Sequence, residues 1–139
     1  MTILDRATIK ANFQTGDKPT QTQFEDWIDA SVGKLPATTT YNASVTTDLT
    51  TGYVFRITLT GDLALQNPTG GIDCNTYTWH LKQDGTGGHS ITLAGSKFKL
   101  PSSAGPLAFS VAPNALDILV VQYDSAADLF YIVSMIPGY

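Results

Sequence analysis

One cysteine in 139 residues, Cys74, leaves no partner for an intrachain disulfide, so a fold of this chain rests on burial and hydrogen bonding alone. Charge is scarce as well: 14% of the residues are Asp, Glu, Lys or Arg, where a soluble domain usually carries roughly 25%. The scarcer sign is positive, with 8 Lys and Arg against 12 Asp and Glu and a formal net charge of −4. Nothing more basic than Lys97-Phe98-Lys99 occurs, too little to displace counterions, which argues against nucleic acid as a direct partner. Long apolar runs are also missing. Leu129 to Val133 and Ile118 to Val121 fall far short of the roughly 20 residues that a helix needs to span a bilayer, and no membrane partner is expected. Asp5 and Arg6 follow directly on Ile3-Leu4, so the N-terminus lacks the apolar middle of a secretory signal and synthesis in the cytosol is expected.

What replaces charge is threonine, with 19 copies, together with Ser, Asn, Gln and 12 Gly. The hydrophobic pattern divides the chain at Leu35-Pro36, giving a helical segment over 1–35 and a strand-rich domain over 36–139. In the first, Asp5 can cap a helix that carries Ile9 and Phe13 at i, i+4 and closes at Gly16. Thr20 with Gln23 three residues on is a capping box opening a second helix. There Phe24, Trp27, Ile28 and Ser31 share one stripe, and Gly33 ends it. Two narrow stripes in about 35 residues bury too little surface to form a core of their own, so this arm must dock on something. Phe13, Phe24, Trp27 and Ile28 are the candidate anchor residues.

Beyond Tyr41 the period is two. Tyr53, Phe55, Ile57 and Leu59 alternate with Arg56, Thr58 and Thr60, and Tyr77, Trp79 and Leu81 repeat the pattern. Ala115 to Tyr123 is densely apolar and turns through Ser125-Ala126-Ala127-Asp128 into Leu129 to Met135. With shorter runs at 43–47, 63–66, 89–93, 98–100 and 108–111, about eight strands are expected, and turn signals between them suggest an antiparallel β-sandwich or jelly roll. The turn Asp84-Gly85-Thr86-Gly87-Gly88 reads as a hairpin that returns Thr76–Gln83 onto 89–93.

Few residues offer chemistry. His80 and His89 flank that turn, but two ligands do not make a zinc site. Cys74 has no basic neighbour in sequence to activate it and reads as a partly buried apolar residue. Gly88 and Gly95-Ser96-Lys97 lack the spacing and the helix of a phosphate loop. One carboxylate in the Asp84 turn is too few for calcium. Glycosidase carboxylates would have to come from Asp48, Asp62, Asp73, Asp84, Asp117, Asp124 and Asp128, most of them at turns where Asp serves local hydrogen bonding. Asp117 alone stands in an apolar strand, as expected of a carboxylate bonded to a loop or a neighbouring subunit. Tyr41, Tyr123, Phe130 and Tyr131 could bind sugars, though aromatics at strand positions are more often core. No enzymatic activity, cofactor or metal is expected.

The stretch from Ile9 to Ser31, with Phe13, Thr15-Gly16-Asp17, Pro19-Thr20, Phe24 and Ile28-Asp29-Ala30-Ser31, resembles a segment that recurs in structural proteins of tailed bacteriophages. The β region resembles the jelly-roll domains of phage tail-fibre and head-decoration proteins at 65–69 (Leu-Gln-Asn-Pro-Thr), at 81–87 (Leu-Lys-Gln-Asp-Gly-Thr-Gly) and at 112–117 (Ala-Pro-Asn-Ala-Leu-Asp). The resemblance implies a non-enzymatic virion protein on the outer surface of capsid or tail, a homo-oligomer, trimeric in preference to dimeric, attached to the major capsid protein or another virion protein. The shortness of the chain favours a capsid cement or decoration protein that bridges capsid subunits. The alternative is a tail-fibre or head-fibre module that binds host-surface glycan.

Overall fold

The computed structural model describes residues 18, 20–25, 36–102 and 104–139. The chain divides into two compact units, Met1–Leu35 and Pro36–Tyr139. In the first, residues 21–25 form a helix opened by the reciprocal bonds of a capping box: the Thr20 amide donates to Gln23 Oε1 (2.8 Å) and the Gln23 amide to Thr20 Oγ1 (3.3 Å). The other helix, expected from Asp5 to Gly16, and the rest of the second, expected as far as Gly33, lie outside the described residues.

The second unit is built from nine strands: β1 (Ala37–Thr38), β2 (Ser44–Val45), β3 (Val54–Leu59), β4 (Leu63–Leu65), β5 (Thr76–Gln83), β6 (Ile91–Leu93), β7 (Phe98–Lys99), β8 (Leu116–Asp124) and β9 (Leu129–Ile136). They form a six-stranded sheet ordered β1-β3-β5-β8-β9-β7 and a three-stranded sheet ordered β2-β4-β6. Up to β6 the chain alternates between the two sheets, and each strand pairs in parallel with the one two places earlier: β1 with β3, β3 with β5, β2 with β4, β4 with β6. It therefore winds as three stacked turns of a coil. β8 then adds antiparallel to β5, β9 antiparallel to β8, and β7 lies parallel to β9.

This order corrects the expectation of an antiparallel jelly roll. Antiparallel pairing is confined to β5-β8-β9, and the hairpin expected across Asp84–Gly88 is absent, because β5 and β6 belong to different sheets. Alternation of period two identifies a strand and its buried face but not its partner. Glycine turns that suit a hairpin also suit the step from one sheet to the other, and parallel neighbours need such an intervening crossover. The 108–111 segment is not a strand, and β1 lies ahead of Tyr41, beyond which the strand pattern was expected to begin.

The core fills the space between the sheets. Phe55, Ile57, Leu59, Tyr77, Trp79, Leu81, Leu119, Val121, Phe130 and Ile132 come from the large sheet, and Val45, Leu63 and Leu65 from the small one. Trp79 is the central tie: it stacks on Phe55 (5.6 Å between ring centroids), meets Phe98 edge-on (6.3 Å) and donates from Nε1 to Thr47 Oγ1 (3.0 Å). Buried Gln83 closes one end by donating from Nε2 to the carbonyls of His89 (2.7 Å) and Ser110 (2.9 Å), and its Oε1 accepts from the His89 amide. At Gly87, with φ of 66°, a side chain would run into the backbone of Val111 and Pro113, so the 84–88 and 111–115 loops can pack directly.

Candidate functional site

Of the four predicted anchor residues, Phe24 stands on the 21–25 helix and is 48% exposed. Phe13, Trp27 and Ile28 lie outside the described residues.

The seven carboxylates of the 36–139 unit all accept internal hydrogen bonds. Asp48 Oδ1 accepts from the Thr50 amide and hydroxyl, and Asp124 Oδ1 from the amides of Ala126 and Ala127. Asp62 takes the Ser90 amide (2.7 Å), which lowers its pKa, and Asp73 takes the Ser125 amide (2.9 Å) to the same effect. Asp84 Oδ1 binds the amides of Gly87 and Thr86 and the His89 ring (3.1 Å), and the Gly87 amide does most to depress its pKa. The Lys97 ammonium, aided by the Tyr123 hydroxyl, does the same for Asp128. Buried Asp117 divides its oxygens between the amides of Ser110 (2.7 Å) and Gly138 (2.9 Å), the loop-tying role expected of it. Among the described residues, no three His, Cys, Asp or Glu side chains converge as a metal site would require. Nor is any helix among them long and apolar enough to cross a membrane.

Cys74 is exposed, contrary to the expectation of partial burial, at a φ of 59°. The negative charge of Asp73 beside it pushes its thiol pKa up, the opposite of what a nucleophile needs. Of the aromatics considered for sugar binding, Phe130 is buried and Tyr123 stacks on it (4.6 Å), while Tyr131 is 43% exposed.

What remains is the outer face of the large sheet. Inward residues of each long strand are buried, so the alternate set points out. Register sets these residues in rows: Arg56 beside His80, His80 beside Ile118, and Ile118 beside Ile136, while Lys82 lies between Thr58 and Leu116. The face is therefore divided. Over the parallel strands β3 and β5 it carries Arg56, Thr58, Thr78, His80 and Lys82, and over β8 and β9 it carries Ile118, Val120, Gln122, Ser134 and Ile136, with Val133 exposed at the bulge opposite Val120 and Val121. Arg56, Thr58, His80, Lys82 and Leu116 line a hollow of about 220 Å³. Neither Arg56 nor Lys82 has an ion-pair partner among the described residues; the one lysine that does, Lys97, is paired with Asp128. On the β9 side Tyr131, Val133 and Ile136 are 43%, 63% and 41% exposed. Beside them an apolar groove of about 340 Å³ runs between β9 and the 100–108 segment, lined by Leu100, Pro106, Leu107, Val133 and Met135 among others. Sequence reasoning missed that Arg56 and Lys82 line one hollow. Both residues are visible as outward positions of their strands, but only the parallel register makes them neighbours.

No curated protein and no solved structure matches the chain. A family described as "Putative phage tail fibre C-terminal domain" matches residues 37–128, which run from the first residue of β1 to the turn before β9 and make up about two thirds of the chain. The chain belongs to this phage tail fibre C-terminal domain family, and is a phage virion protein.

Proposed function

We propose that the protein is a host-attachment module of a phage tail fibre, displayed on the outer surface of the tail and acting by binding rather than catalysis. The observation that carries this reading is the family match across β1 to β8. It supports the tail-fibre alternative better than capsid cement.

The proposal includes self-association, with a trimer preferred over a dimer. Tyr131, Val133 and Ile136, beside the groove along β9, form an apolar surface of the kind that subunits cover. The helical segment, through the stripe containing Phe24, is the proposed anchor to another virion protein. Gold-labelled antibody against the protein, applied to intact phage, tests the location. Label on the tail is the expected result, and label spread over the capsid would overturn this reading in favour of cement.

A further inference from the structure

Resting on the attachment reading, we propose that the hollow between β3 and β5 binds an oxyanion group, the carboxylate or phosphate of an acidic host-surface polysaccharide. The β unit holds four permanent cations, Arg56, Lys82, Lys97 and Lys99. Two of them, with one of the two histidines, meet in this hollow. Arg56 lies directly across from His80, and Lys82 stands two residues further along the same strand, on the same face. Placing cations this close is unfavourable when no anion stands between them. The unit has acids enough to neutralise them but uses every one elsewhere, and among the described residues no carboxylate pairs with Arg56 or Lys82, so their positive charge is available to a ligand.

The geometry suits a small oxyanion. Arg56 offers a planar fork of N–H donors and Lys82 a point charge, Thr58 adds a hydroxyl, and Leu116 supplies an apolar wall. β3 and β5 are interior strands of the sheet, hydrogen-bonded on both sides, so the backbone under these side chains is fixed before a ligand arrives. A nucleic-acid duplex is a poor match, because two permanent cations on a chain of net charge −4 cannot follow a phosphate backbone.

The test is a titration of the full-length protein with glucuronate, glucose 6-phosphate and neutral glucose, read by NMR at the His80 ring and the Arg56 amide. Saturable shifts with one or both acids, absent with glucose, are expected. The doubly substituted Arg56→Ser, Lys82→Ser protein should bind at least tenfold more weakly, whereas Lys99→Ser, at an exposed lysine outside the hollow, should bind as wild type does. Response to glucuronate alone identifies a carboxylate-bearing glycan, and response to glucose 6-phosphate alone a phosphate-bearing one. Absence of saturable shifts with both acids, or equal shifts in the double variant, overturns the proposal. Its failure is distinguishable from failure of the attachment reading. Competition with phage adsorption that the double variant retains in full overturns the hollow alone. Acid binding at His80 without any competition by the wild-type protein overturns attachment while the oxyanion site stands.

Discussion

The two halves of the large sheet share a core and differ in what they turn outward. β3 and β5 pair in parallel and present Arg56, His80, Lys82 and threonines; β8 and β9 pair antiparallel and present chiefly Ile118, Val120 and Ile136, with Ser134 among them and Val133 exposed at a bulge. Inward, the two halves are alike, with Phe55, Trp79, Leu119 and Phe130 all buried. Folding therefore constrains only one face of each strand, and the other is open to function. The polar half suits a hydrated ligand, and the apolar half suits another protein surface.

The largest predicted effect shows how far the halves depend on one another. Trp79→Ala removes the ring that joins Phe55 in the coil to Phe98 beside β9. It should cost about 3–5 kcal/mol, and urea unfolding should stay a single transition in which both halves melt together. Two separated transitions would show that the halves are independent folding units. Next in size is Gln83→Leu, which leaves the carbonyls of His89 and Ser110 and the His89 amide without their side-chain partner. A loss of about 2 kcal/mol is expected, with hydrogen exchange quickening in the 84–90 and 109–115 loops rather than in β9.

Val133→Asp separates the halves by function. At a surface position the change should alter folding stability by about 0.5 kcal/mol or less, while light scattering should report a shift from oligomer to monomer. The ligand titration of the polar half should be unchanged. Retention of the oligomer would move the subunit contact away from β9.

The smallest effect concerns pH. The lowered carboxyl pKa values of Asp62, Asp73, Asp84 and Asp128 mean that the folded protein binds protons less readily than the unfolded chain. Their stabilisation is thus complete above the unfolded carboxylate pKa of about 3.9 and is lost as pH falls through the lower folded values. The thermal midpoint should change little as pH falls to about 5 and decline below about 4. A midpoint that rises on acidification would contradict this assignment of the turns.

What the sequence discloses is what is local. The capping box from Thr20 to Gln23 spans four residues, and the alternation in Thr76–Gln83 lies within one strand, so both can be read without knowledge of tertiary structure. The loop-tying role of Asp117 is legible because a lone carboxylate in an apolar strand needs partners. Parallel pairing is not legible, since the same inward set of Tyr77, Trp79 and Leu81 fits either strand direction. The hollow depends on that register. Arg56 and Lys82 come together only because Arg56 pairs with His80 across parallel strands, and a hairpin reading of the Asp84 turn sends Lys82 elsewhere. Gln83 was likewise hidden, for its partners at His89 and Ser110 belong to loops that only the folded chain brings together.

Phage adsorption to host cells in the presence of the purified full-length protein measures the central claim most directly. Attachment by this module predicts that the wild-type protein lowers adsorption in a dose-dependent way, by occupying host sites that the virion would use. Adsorption that stays constant over the whole concentration range, with protein shown to be folded, would contradict it.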